Sequence, residues 1–145
     1  MSSIDKKNKE QGFTLIEIML VVLIIGVIAA MVVPNLAGKG EQARKSVARA
    51  DIDTNLDSGL GMYELDNGRF PTTEQGLSAL MQKPNAEPVP VNWNGPYLKK
   101  KLIPKDPWGR DYIYRNPGNH NTDGFDLFST GPDGVESNDD IVNWQ

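Results

Sequence analysis

Apolar residues are distributed unevenly along the 145-residue chain. From Phe13 to Val33, 21 consecutive residues include only two strongly polar ones, Thr14 and Glu17, and Pro34 closes the run. A bilayer-spanning helix needs ~20 mostly apolar residues, so the run is long enough to cross, and it exceeds the ~7–15 of a usual secretory signal core. Beyond Val33 the pattern turns amphipathic. Ala48, Ile52, Leu56, Leu60 and Tyr63 recur at helical spacing, and Arg44, Lys45, Arg49, Asp51, Asp53 and Asp57 supply a mixed-charge face. This predicts one long helix from Phe13 to about Asp66, capped by Gly68 and kinked at Pro34, which lacks an interior donor. Gly26, Gly38 and Gly40 weaken the same stretch by up to about 1 kcal/mol each relative to Ala.

The remainder reads as a small α+β head. In "FPTTEQGLSALMQKP", Thr72 is a candidate N-cap with Gln75 three residues on, and Leu77 and Leu80 form the inner face of a short helix. The proline-rich stretch from Pro84 to Pro96 predicts an ordered surface loop. "DYIYR" and "GFDLFS" predict two antiparallel strands joined by the turn-rich "NPGNHNTD". The second half of the long helix is expected to lie on this small sheet, with no internal repeat and no further domain.

Charge and composition exclude several functions. A formal charge of -4 and a pI near 4.9 give no electrostatic basis for binding nucleic acid or anionic lipid. There is no cysteine, so packing, hydrogen bonds or a metal must fix the loops. His120 is the only histidine and sits in a turn-rich segment without a nucleophile at usable spacing, so the chain is not read as an enzyme. "LKKKLIPK" reads as a solvated loop rather than a partner-binding patch. Trp93, Tyr97, Trp108, Tyr112 and Tyr114 read as packing residues rather than a stacking surface.

Glu17 is harder to place. An ionised Glu well inside a bilayer costs about 2.5–3.5 kcal/mol or more. The favourable partial charge at a helix start returns only ~0.3–1 kcal/mol, so a charged partner is required. The preceding "MSSIDKKNKEQG" carries Lys6, Lys7 and Lys9 against Asp5 and Glu10, an excess that predicts a cytoplasmic N-terminus. The junction "GFTLIE" at residues 12–17 resembles the class III signal of type IV pilins and type II secretion pseudopilins. The resemblance implies cleavage by a prepilin peptidase between Gly12 and Phe13 and N-methylation of Phe13. It further implies that Glu17, fifth in the mature chain, pairs with the terminal amine of a neighbouring subunit during assembly.

"NGRFPTTEQGLSAL", "GPYLKK", "PKDPWGRDYIY" and "FDLFSTGPDG" narrow the resemblance to the major, G-type pseudopilins, from Gly12 to Trp144. The fold implied is type IV pilin-like α+β, a long N-terminal helix packed on a small antiparallel sheet with a C-terminal calcium loop. Residues 1–12 would be a cleaved leader, 13–34 a transmembrane and filament-core helix, and 35–145 a periplasmic head. The implied function is a structural subunit, polymerising into a periplasmic pseudopilus that drives export of folded proteins across the outer membrane. Its implied partners are further copies of itself, minor pseudopilins, the inner-membrane assembly platform, prepilin peptidase and the membrane. A major type IV pilin for surface adhesion or motility is the alternative, and a membrane-tethered hydrolase using the C-terminal acids is a third reading without a supporting nucleophile.

In "TGPDGVESNDDIVNW", Asp133, Glu136, Asp139 and Asp140 crowd four carboxylates into eight residues. Composition alone reads this as a solvated acidic turn, although hard oxygens in a flexible loop also suit Ca²⁺, which takes 6–8 of them. The resemblance implies a calcium site. It carries over the side chains of Asp133, Asp139 and Asp140 with backbone oxygens of Thr130 and Val135, and leaves Glu136 and Ser137 as further candidates, since the loop length there varies.

Overall fold

A computed structural model describes residues 12–144, the side chains of 33–37 excepted. Apart from Gly12, the expected leader lies outside the described residues. The chain divides after Gly40 into two units.

In the first unit, Thr14 caps helix α1 (Leu15–Ala50). Its carbonyl accepts the N–H groups of Glu17 at 3.1 Å and Ile18 at 3.3 Å, and its hydroxyl accepts that of Glu17 at 3.3 Å. The helix therefore starts two residues later than Phe13, because a Thr at the N-cap satisfies donors that Phe cannot. Over Leu15–Val32 the mean hydropathy is 3.0 and none of the window is buried within the protein. Phe13, Leu15 and Ile16 are 80%, 79% and 75% exposed. A helix apolar on every face buries itself in lipid or in other subunits, since it has no polar side for water. The helical assignment of α1 continues through Pro34.

In the second unit the expected uniform helix is interrupted. A π-helical segment, Asp51–Leu56, separates α1 from α2 (Asp57–Asn67). The buried positions explain why. Ala48, Ile52, Leu56 and Leu60 follow at three successive steps of four residues, and all are fully buried. On a helix of 3.6 residues per turn each such step drifts by about 40°, enough to carry the stripe off the core. A wider turn with i→i+5 bonding absorbs the drift and keeps the stripe on one side. Asn55 donates to the Asp51 carboxylate at 2.6 Å across this turn. Helix α2 ends as expected at Gly68, which takes φ 72° and donates its N–H to the Glu64 carbonyl at 2.7 Å.

Gly59 marks a close approach. A Cβ there would stand 2.8 Å from Leu98 Cδ2 and 3.3 Å from Leu80 Cδ1, so the helix can sit this deep only without a side chain at that position. The Thr72 and Gln75 side chains exchange bonds with each other's backbone N–H at 3.2 and 3.1 Å. They cap a turn ending at Gly76, and the helix that follows, Leu77–Leu80, is a single 3-10 turn. The buried Gln75 amide also donates to the carbonyls of Ala86 and Pro88 at 2.8 and 3.1 Å, which ties down the proline-rich loop.

The sheet has three antiparallel strands in the order β1 (Ile113–Arg115), β2 (Asp126–Ser129) and β3 (Ile141–Val142). Tyr114 pairs with Leu127, and Phe128 with Val142. Strand β3 is an addition to the two strands expected; two residues are too few to show alternation. All four residues of β2 are buried. Leu127 and Tyr112 join Ile52, Leu56, Leu60 and Tyr63 in one core. The aromatic residues pack as expected. The Trp93 indole donates to the Ala79 carbonyl at 2.8 Å, the Tyr97 hydroxyl to Asp66 at 2.8 Å and the Tyr112 hydroxyl to Asp51 at 3.0 Å. Lys99, Lys100 and Lys101 are exposed, in keeping with a solvated loop.

Candidate functional site

Strand β2 begins at one buried carboxylate, Asp126, and leads beyond Ser129 into a carboxylate-rich loop. At its end, Gly131 and Gly134 take φ values of 61° and 74° and curl the chain into a loop returning to β3. A Cβ at Gly131 would lie 3.1 Å from the Asp139 carbonyl, so the two limbs of the loop meet there. This geometry brings together the carboxylates of Asp133, Asp139 and Asp140, each with an oxygen within 4.8 Å of the others.

Few donors answer those charges. The Val135 N–H donates to Asp133 at 3.0 Å and the Ser137 N–H to Asp140 at 3.2 Å. The Ser137 hydroxyl contacts Asp139 closely and Asp133 at 3.4 Å. Asp140 Oδ1 is buried without a hydrogen-bond partner. Burial, and then the charges of Asp133, Asp139 and Glu136, raise the Asp140 carboxyl above the ordinary range despite the opposing Ser137 N–H. The carboxylates of Asp133 and Asp139 are open to solvent and that of Asp140 is half-buried with one orphaned oxygen; three converging carboxylates of this kind, an all-oxygen donor set, fit a hard divalent cation. Of the expected ligands, the three aspartates converge. The Thr130 carbonyl accepts the Gly134 N–H at 3.3 Å, and the contact Val135 makes with the group is through its N–H. Glu136 is turned to Arg115, which grips both its oxygens at 2.7 and 2.9 Å and holds its carboxyl below the ordinary range.

At the start of β2 the arrangement is different. Asp126 is fully buried, and its carboxylate accepts the N–H groups of Asn119, His120 and Asn121 at 2.7, 3.0 and 2.9 Å. Burial alone would raise this carboxyl; the three N–H bonds and the His120 ring at 3.2 Å outweigh it and hold the group below its ordinary range. The His120 ring stacks on Trp144 with centroids 4.1 Å apart and planes 3° from parallel. His120 is thus a structural partner of Asp126 and Trp144. Sequence reasoning left it without a role, and no local spacing marks the contact.

The N-terminal candidates are simply placed. Gly12 and Phe13 precede the helix and are exposed, and Glu17 lies in its first turn. Among the described residues no cation pairs with the Glu17 carboxylate.

Residues 35–144 match the family described as type II secretion system (T2SS), protein G, and residues 7–33 match the prokaryotic N-terminal methylation motif. The chain belongs to the type II secretion system protein G family. It is 51% identical over 139 residues to the type II secretion system core protein G of Klebsiella pneumoniae, covering 94% of this chain and 96% of that one. The core protein G of Pseudomonas aeruginosa is 49% identical over 144 residues, covering 96% and 98%. Among solved structures, the major pseudopilin from the type 2 secretion system of enterohaemorrhagic Escherichia coli superposes with a TM-score of 0.67 at 48% identity. That match covers 78% of this chain and 92% of that one. Membership bears out the pseudopilin resemblance and the α+β fold, and the comparisons do not favour the surface-pilin alternative. Pseudopilins are structural proteins, and family membership supplies no catalytic role.

Proposed function

We propose that the chain is the major structural subunit of a type II secretion pseudopilus, a homopolymer that drives folded proteins across the outer membrane. The observation that carries this reading is the N-terminal helix, apolar and exposed on all faces yet carrying one carboxylate in its first turn. Lipid accommodates the apolar surface before assembly, and neighbouring helices accommodate it afterwards. Prepilin peptidase removes residues 1–12 on the cytoplasmic side and methylates Phe13. The new amine, held by the neighbouring subunit, is the counter-charge that Glu17 needs. Removing one member of such a pair leaves an uncompensated charge costing ~3–5 kcal/mol, so the pairing fixes the register of each added subunit. Residues 13–34 form the membrane and filament-core segment and 35–145 the periplasmic head. The assembly platform and minor pseudopilins are its further partners.

Calcium completes the head in this reading. Asp133, Asp139 and Asp140 would hold the ion with backbone oxygens of Thr130 and Val135. Bound there, it would neutralise the three carboxylates and tie the C-terminal segment to the end of β2.

Glu17→Gln tests assembly directly. The variant inserts in the membrane as the wild type does, since losing a charge eases insertion. Cross-linked multimers and secretion fall sharply. Wild-type multimers in this variant would overturn the pairing. Intact mass of the membrane-extracted protein checks processing, with a chain beginning at methylated Phe13 expected and one retaining Met1 contrary to it.

A further inference from the structure

We propose that Arg110 and Arg115 are positioning residues for the acidic loop, each holding one limb so that the three aspartates stay converged before any cation arrives. This rests on the calcium reading above for its consequence, but the clamp itself is a property of the chain.

Arg110 serves the first limb. Its own backbone is fixed, since the buried Asp106 accepts its N–H at 2.8 Å and the Asp106 N–H donates to its carbonyl at 2.8 Å. The second Asp106 oxygen accepts the Ser129 hydroxyl at 2.7 Å, which anchors this turn to the end of β2. From there the Arg110 guanidinium donates to the carbonyls of Gly131 at 2.6 Å and Pro132 at 3.2 Å. It also packs flat against Gly134, where a Cβ would stand 2.7 Å from its Nη2. Residues 131–134 therefore lie across the guanidinium, with Asp133 between its contacts.

Arg115, at the end of β1, serves the second limb. Its guanidinium lies 5.2 Å from the centre of the buried Phe128 ring and takes Glu136 by both oxygens. A planar fork held from behind and engaged bidentately fixes direction as well as distance. Glu136 is the residue before Ser137, whose N–H and hydroxyl reach Asp140, Asp139 and Asp133. Fixing Glu136 fixes that hub. The role of Glu136 is thus to be held, outside the cation's ligand set.

The two possible actions of these arginines differ in sign. As bare positive charges they repel a cation, and removing either would tighten binding. As clamps they spare the loop the ordering cost of binding, and removing either weakens it. The test uses the full chain in detergent with Arg110→Met, Arg115→Met and the double charge swap Arg115→Glu/Glu136→Arg. Calorimetry with CaCl₂ measures affinity. Hydrogen exchange in chelator measures order at the Gly134, Val135 and Ser137 amides. Each Met variant is expected to weaken calcium binding about tenfold, the scale for groups that orient metal ligands. It also speeds exchange at these amides, and the swap restores both readouts at the second limb. Unchanged or tighter binding by the Met variants overturns the proposal. Should Arg110→Met fail to fold, Arg115→Met and the swap decide, because that side chain is one-third exposed. If the wild type binds no calcium, the metal reading fails by itself. The exchange arm then decides this one: faster exchange upholds the clamp, and wild-type rates remove it.

Discussion

Strand β2 has a carboxylate site at each end, and the fold treats them oppositely. Asp126 at the start is completely buried and receives three backbone N–H groups and an imidazole. Asp133, Asp139 and Asp140 beyond its end share two backbone N–H groups and one hydroxyl, with Asp140 Oδ1 left unpartnered. A carboxylate surrounded by fixed dipoles needs nothing from solution. A group of three with too few donors keeps charge that the protein itself does not meet, and the arginines beside it are already occupied. Arg115 is taken by Glu136, and Arg110 by main-chain carbonyls. Burial is therefore not what leaves a carboxylate short of partners; the supply of N–H donors is.

The largest loss is expected at Asp126. Asp126→Ala leaves three inward N–H groups without an acceptor and is expected to cost about 3–5 kcal/mol, equally with calcium or chelator. Thermal unfolding of the detergent-solubilised chain measures it, and a cost that vanished on adding calcium would erase the distinction between the sites. Asp140→Asn makes the opposite test. In chelator it is neutral or stabilising, because it relieves repulsion around a buried oxygen. In calcium at a hundred times the dissociation constant it forfeits about 2.7 kcal/mol of ion-linked stability. An equal loss in chelator would mean that the loop is self-sufficient.

Acid acts on the Asp126 corner in a defined direction. The folded Asp126 carboxyl lies below its unfolded value, so its contribution is complete above the ordinary carboxylate range and is lost as pH falls through the lower folded value. In chelator, the stability difference between wild type and Asp126→Asn should shrink on acidification, with a slope of at most about 1.4 kcal/mol per pH unit. A difference that grew with acidification would contradict the assignment. Smallest is the outer contact, where His120→Ala removes the stack on Trp144 and is expected to cost about 0.5–1.5 kcal/mol in a denaturant titration.

How much of this was legible depended on sequence distance. The apolar run to Val33, the Ile52–Leu56–Leu60 stripe and the Gly68 cap are local patterns and were readable. The π segment was not, although four-residue steps repeated three times were its visible signal. The crowding of Asp133, Asp139 and Asp140 within eight residues was also local. The arginines that frame them were not, because each reaches 21 residues along the chain through a strand pairing whose third member is two residues long. Likewise the corner at Asp126 joins His120 to Trp144, and neither spacing nor composition connects them.

The central claim is that the loop is unfinished without a divalent cation, and calorimetric titration of the full chain with calcium tests it most directly. One ion per chain is expected, with a dissociation constant of about 10⁻³ M or tighter and complete loss of the binding heat in Asp133→Ala. Absence of binding at millimolar calcium, or undiminished heat in Asp133→Ala, would contradict it.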